Sequence, residues 1–476
     1  MMEKIAVIGG LGTLSGGDLF FKLLKNQEVL NHQNKYHFIF EQQPYRQIES
    51  ALHEEEDIKS RKFYTFSICK NFEVKEVSKI LLPCFASHSF LEELQKETTI
   101  SIVNIFHAIT HHLTSKIEKG AKVGVLTSNF VKESFLLNKH LADYELVFPS
   151  NQAKLMDAIY GKTGIKNGNL DGLPLEFVYQ ACLELKEKGC KVILPCITEI
   201  SLVVNQLRKR GISIIDVNEV YANYALQIGN VKSQSQPFKL GIVGGVGPSA
   251  TVDFMNKVIL STPAAKDQDH IKMVVEQNPQ IPDRTANLIL NETDPTIALF
   301  STCKKLEAAG SNAIAIPCNT AHAFVKEIQA HLNIPIVNMI TTTAEFILKN
   351  YGKNTKVGLL ATTGTVKSNV YLDVLKKYEL QVVIPDEVHQ NHVMESIYGD
   401  LGVKAGYTTG SCKEEIMKGV NYLLAEGAQV IILGCTELPL LFTNTKEIND
   451  KDRSVPLIDP TLILAEKVVE LATLKD

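Results

Sequence analysis

The chain has 476 residues, a formal net charge of −4, 45% hydrophobic and 21% charged residues, a balance typical of soluble globular proteins and long enough for about three average domains. The slight acidity, without any basic stripe interleaved with aromatics, excludes a nucleic-acid footprint, and no apolar run approaches the roughly 20 residues of a membrane helix. Nine cysteines, an odd number with no CxxC pair and no zinc-like Cys/His spacing, predict free thiols in a reducing, cytoplasmic setting and no metal site.

In chain order, MMEKIAVIGG enters a strand at once, with no charged leader and cleavage site, so no signal peptide is expected. The run HEEED at 53–57 reads as a solvated helix face. Apolar, strand-like segments follow in KIAVIGGLG (4–12), LPCFASH (82–88), KVGVLTS (122–128) and KGCKVILPCITEI (188–200), with IYGKTGIKNG at 159–168. After the polar stretch GNVKSQSQP, the same series returns as KLGIVGGVG (239–247), IPCNTAH (316–322), KVGLLAT (356–362), IYGDLGVKAG (397–406) and EGAQVIILGCTEL (426–438). The matches keep offsets of 234 to 238 residues. A near-constant offset means one unit present twice: 1–228 and 239–476, joined by a linker over 229–238. Strands alternating with helical stretches predict an α/β fold with mostly parallel sheets. Each unit is expected to form two lobes, about 1–113 and 120–215 in the first and about 239–350 and 355–458 in the second. A final helix (about 217–228 and 461–472) is expected to return to the first lobe.

Two cysteines stand where buried strands end: Cys318 in AIAIPCNTAH and Cys435 in QVIILGCTEL. In open α/β sheets reactive groups gather beyond the carboxyl ends of the strands. Either thiol alone is equally a core cysteine, but Asn319, Thr320 and His322 after the first, and Thr436 and Glu437 after the second, are polar where a core would be apolar. Ala321, Phe324, Val325, Ile328 and Leu332 follow helical spacing, which predicts a helix starting just after Cys318, its N-terminus favouring a thiolate there.

Four motifs of the second half, GIVGGVGPSAT (241–251), NPQIPDRTA (278–286), PCNTAH and GCTEL, occur in the order seen in the aspartate/glutamate racemase family, and the region from about 239 onward resembles its aspartate racemase branch. The resemblance implies two α/β lobes with the site between them and cofactor-independent racemisation. Cys318 and Cys435 would act as paired bases on opposite faces of the α-carbon. It also implies that Asn319, Thr320, Thr363, Thr365 and Thr436 line the substrate site, and that Arg284 and Lys404 take a side-chain carboxylate, making aspartate the expected amino acid. An arginine suits that task because it can grip a carboxylate with two parallel hydrogen bonds. Gly244, Gly245 and Gly247 let the backbone approach a ligand. GGVG lacks the full GxGxxG fingerprint and no lysine motif for pyridoxal phosphate stands out, so no cofactor is expected. His322 could orient a thiol or serve packing. Glu437 reads as a hydrogen-bond partner or helix-terminal anion, and Asp283 and His392 as possible aids to proton transfer. Cys69, Cys182, Cys190, Cys303 and Cys412 read as structural.

The first half is eroded at these positions. Ile197 falls opposite Cys435, Cys196 comes one residue early, and Phe85 and Ala86 replace Asn319 and Thr320. SNFV at 128–131 replaces TTGT at 362–365, and 47–50 stands opposite the Pro-Asp-Arg. Cys84, His88, Lys166, Thr198 and Glu199 persist. The expectation is an inactive structural or regulatory partner, pairing with the second half as an intrachain pseudo-dimer like the family's homodimers, with further homo-oligomers possible. Other readings are a glutamate or broad-specificity racemase, a thiol-dependent isomerase or decarboxylase of small dicarboxylates, and an amino-acid sensor without turnover.

Overall fold

A computed structural model of the chain describes residues 2–43, 45, 55–229, 237–443, 445–450 and 453–474. It divides into two compact units, Met1–Gln236 and Pro237–Asp476. Most of the linker stretch, 230–236, lies outside the described residues, as do His53, Glu54 and 47–50. The helix that the acidic run adjoins spans Glu55–Val74.

In the first unit, strands β1 (Glu3–Ile8), β2 (Tyr36–Glu41), β3 (Lys79–Leu81) and β4 (Ser101–Val103) form one sheet in the order β2-β1-β3-β4. Strands β5 (Lys122–Thr127), β6 (Glu145–Val147) and β7 (Val192–Cys196) form a second, ordered β6-β5-β7. The second unit repeats the plan. Strands β8 (Lys239–Gly244), β9 (Lys272–Gln277), β10 (Ala313–Ala315) and β11 (Ile336–Val337) are ordered β11-β10-β8-β9. Its other sheet contains β12 (Lys356–Ala361), β13 (Gln381–Val383), β14 (Val430–Gly434), β15 (Glu447–Asp450) and β16 (Arg453–Ile458), ordered β13-β12-β14-β16-β15.

Each sheet thus places its first strand between its second and third, and every pairing is parallel except β15 with β16. Parallel pairing with helical crossovers covers both faces of a strand, which is why IVG in β8 and VGLLA in β12 are buried without alternation. The halves differ at one edge. Between Glu437 and Asp459 the second unit inserts the β15–β16 hairpin, whereas the shorter connection from Glu199 to Asp216 makes only a bridge from Ile193 to Ile214.

The final helix, Pro460–Thr473, is capped by Asp459, whose carboxylate accepts from the backbone N–H of Thr461 and Leu462. It lays Leu464, Ala465 and Val468 against Phe254, Val258 and Met339 of the first lobe. Lys257 of that lobe meets Asp459 at 2.6 Å, and in the first unit Lys22 meets Asp216 at 2.7 Å in the same place. These largely covered ion pairs tie the two lobes of each unit together, so the strand ends of both lobes face one cleft.

Candidate active site

In the second unit the carboxyl ends of β8, β10, β12 and β14 surround a cavity of about 280 Å3, including its mouth. Both thiols, Cys318 and Cys435, line it, together with Asn319, Thr320, Thr436 and Glu437 from the turns that follow them. Asp283, Arg284 and Lys404 line it as well. So do Val246, Thr285, Thr362 and Tyr398, which the motif reading had not singled out.

Cys318 is not followed by the expected helix. A 3-10 turn spans Thr320–Ala323, and a short helix, Val325–Gln329, begins only after Phe324, the residue that joins the two. The cause lies in His322. Its Nδ1 donates to the carbonyl of Cys318 at 2.9 Å, and its Nε2 accepts from the N–H of Met339 at 3.1 Å, which fixes the tautomer. Burial pushes this imidazole down to about 4, so it stays neutral. His322 lies outside the cavity lining and holds the cysteine's backbone against the Met339–Tyr351 helix. Support from a long helix dipole at Cys318 does not come from this element.

Arg284 is 8% exposed, its Nη1 donates to the carbonyls of Ile281 and Pro282, and its Nε has no partner. Burial works against its charge, but the Cys318 sulphur and Asp283 beside it raise its pKa above the ordinary value. Asp283 caps the Arg284–Leu290 helix through Ala286 N–H at 2.7 Å. Asn319 is also buried: its Oδ1 accepts from Tyr371 at 2.6 Å and its Nδ2 is unpartnered. Two buried donors are therefore unsatisfied at one cavity, which is costly without an acceptor.

The second thiol has different company. Cys435 Sγ donates to Glu437 Oε2 at 3.0 Å, and Lys404 Nζ holds the other oxygen, Oε1, at 2.6 Å. Burial pushes the Cys435 thiol well above its usual range, the Glu437 carboxylate adds to this, and Lys404 opposes it. Burial also acts on Glu437, but Lys404 outweighs it and keeps that carboxyl below its usual value. Lys404, expected to meet a substrate carboxylate, is thus held by Glu437 within the protein, with its ammonium 5.4 Å from the Tyr398 ring.

Of the remaining predicted residues, Thr365 stands behind the cavity, its hydroxyl bonded to Thr320 at 2.7 Å and Thr362 at 3.1 Å. Thr363 turns away, its hydroxyl accepting from Gln390. The hydroxyl that lines the site is Thr362, the N-cap of the Thr363–Lys367 helix. That position could have been found from the capping pattern directly after β12, and Tyr398 from its repeat partner Tyr160 in the IYG motif. Gly245 lies outside the lining but has φ +87°, and a Cβ there would come within 2.3 Å of the Asn278 backbone, so only glycine fits that turn. His392 bonds to Glu415 away from the cavity. Among the described residues no cluster of three or more His, Cys, Asp or Glu side chains could hold a metal, and no helix is long and apolar enough to cross a membrane.

The first unit has a cavity in the corresponding place, bordered by Cys84, Lys166, Cys196, Ile197 and Glu199. A side chain at Gly434, the repeat partner of Cys196, would point at Leu359 and Ala361 in the core. Cys196 accordingly packs in the cluster containing Val125 and Leu194, and burial raises its thiol far above the usual range. Arg61, from the Glu55–Val74 helix and not from the segment matching Pro-Asp-Arg, borders this cavity.

The Asp/Glu/Hydantoin racemase family model matches residues 8–225 and 243–468. The broad specificity amino-acid racemase RacX of Bacillus subtilis is 26% identical over 234 residues, covering 48% of this chain and 96% of that protein. Among solved structures, Picrophilus torridus aspartate racemase is 36% identical, with a TM-score of 0.43 over 50% of this chain and 94% of its own. An aspartate racemase homologue from Pyrococcus horikoshii OT3 is 30% identical, with a TM-score of 0.40 over 49% and 99%. The chain belongs to the Asp/Glu/Hydantoin racemase family, with one copy of the family's unit in each half.

Proposed function

We propose that the second unit interconverts L- and D-aspartate without a cofactor, by proton transfer between Cys318, Cys435 and the α-carbon. The observation that carries this reading is that one cavity holds two thiols with opposite neighbours, Arg284 at Cys318 and Glu437 at Cys435. Cys435 keeps its proton and serves as the acid. Cys318, beside a guanidinium, serves as the base. In one direction the Cα–H bond breaks, its proton passes to the Cys318 sulphur, and the electron pair moves into the α-carboxylate as an enediolate. Cys435 then gives its proton to the opposite face, leaving a thiolate. The reverse direction uses the same two groups with their roles exchanged.

The developing negative charge is met by fixed donors at Asn319, Thr320 and Thr436, preorganised by the Thr320–Thr365–Thr362 hydroxyl network. Arg284 Nε and Asn319 Nδ2, buried and unpartnered, are the donors available to carboxylate oxygens. In the first unit Ile197 takes the place of the second thiol, so that unit does not racemise.

One observation favours a second reading, a broader amino-acid specificity. Because Glu437 holds Lys404, Arg284 is the cation left to select a second carboxylate, and RacX is named as a broad specificity racemase. Chiral chromatography after incubation with each common amino acid separates the readings: aspartate alone, or several amino acids at comparable kcat/KM. No racemisation of any amino acid would refute both.

A further inference from the structure

Asn319 lines the second unit's cavity, but the groups that hold its amide do not. Tyr371, fully buried in the Val370–Lys377 helix, donates its hydroxyl to Asn319 Oδ1 at 2.6 Å. Burial raises the ionisation of this phenol far above its usual range, so it stays a donor. Thr343, equally buried in the Met339–Tyr351 helix, is hydrogen-bonded to the same phenol and donates to the carbonyl of Met339 at 2.7 Å. Three polar side chains from three elements thus form one enclosed line that ends at the cavity. Its last atom, Asn319 Nδ2, is buried and has no partner among the described residues.

The first unit shows that the fold itself does not require this line. The 234-residue offset that relates LPCFASH to IPCNTAH and KVGVLTS to KVGLLAT sets Phe85 opposite Asn319, Ile109 opposite Thr343 and Leu137 opposite Tyr371. All three are buried in one hydrophobic cluster. Three apolar side chains therefore pack where the second unit keeps three polar ones. Replacing both partners of a buried hydrogen bond by apolar groups is close to neutral for stability, so packing gives no reason for the polar version. Orientation does. Turned by half a rotation, the Asn319 amide would present its carbonyl oxygen to the cavity and repel a carboxylate. The Tyr371 proton pins that oxygen and leaves the amide N–H groups to face a ligand.

We propose, on the racemase reading, that Tyr371, itself held by Thr343, is a positioning residue that fixes the Asn319 amide as a donor to a substrate carboxylate. Succinate supplies two carboxylates without a stereocentre, so it tests this donor apart from turnover. In NMR spectra of the full chain, the Asn319 side-chain amide signals, identified by their absence in Asn319→Ala, should shift on adding succinate. The shift should be lost in Tyr371→Phe, which keeps the ring and removes one hydroxyl. In turnover, Tyr371→Phe should lower kcat/KM for aspartate roughly tenfold, yet cause no further loss when added to Asn319→Ala. If no amino acid is racemised, the racemase reading fails while the succinate shifts still decide the role of Tyr371. An unshifted amide in the unmodified protein, an equal shift in Tyr371→Phe, or the same loss of turnover with and without Asn319 overturns the proposal.

Discussion

Glu437 accepts a hydrogen bond from Cys435 at 3.0 Å while its other oxygen holds Lys404 at 2.6 Å. A carboxylate two residues beyond a thiol opposes its ionisation, and the lysine keeps that carboxylate charged at depth. The proton on the second thiol is therefore a property of three side chains from two loops.

The first prediction follows from that arrangement. In Glu437→Gln the charge that raises the Cys435 thiol is gone, and the unpaired Lys404 lowers it further. The alkaline limb of kcat/KM, where the acid loses its proton, should move to lower pH. It should be measured in the direction that uses Cys435 as acid. A limb that stays in place would mean Glu437 acts only on structure.

Arg284→Leu removes the buried guanidinium next to Cys318. Aspartate turnover should lose roughly 2–5 kcal/mol of transition-state binding, read from kcat/KM. Activity on an uncharged amino acid should fall less. Equal losses on both would assign Arg284 to the base and not to specificity.

His322 links stability to pH. Its folded pKa of about 4 lies below its ordinary 6.5, so the unfolded chain binds the extra proton between these values. The stabilisation is complete above pH 6.5 and is lost as pH falls towards 4, at most on the order of 3 kcal/mol. Urea midpoints at pH 7 and 4.5 should converge in His322→Gln relative to wild type. Parallel loss in both proteins would exclude His322. His88, pushed down to about 4 by burial in the first unit, has the same sign.

Much of this was legible in the chain. The repeat, the parallel sheets and the positions of Cys318 and Cys435 at strand ends follow from local pattern, because buried parallel strands must be apolar and their exits polar. What was not legible depends on partners far apart in sequence. The helix expected after Cys318 is broken by His322, whose ring reaches Met339. Lys404 reads as a substrate cation until Glu437 is seen to hold it. Thr362 and Thr363 are adjacent and chemically alike, and only cap geometry decides which faces the cavity. Arg61 borders the first unit's cavity from a helix outside the segment that matches Pro-Asp-Arg, a placement that comparing the repeats residue by residue does not reach.

Removing either thiol should abolish racemisation, since one face of the α-carbon then has no proton partner. Cys318→Ala and Cys435→Ala should each lose at least about 100-fold in kcat by chiral chromatography. Retained activity in either variant would leave that thiol outside the mechanism.

The most direct test of the two-thiol account is the isotope pattern of the wild-type reaction, followed from L-aspartate in deuterated water at low conversion. Two separate proton carriers predict that the D-aspartate formed bears deuterium at its α-carbon while the remaining L-aspartate is still protonated. Deuterium appearing equally in both enantiomers, or D-aspartate keeping the original proton, would contradict it.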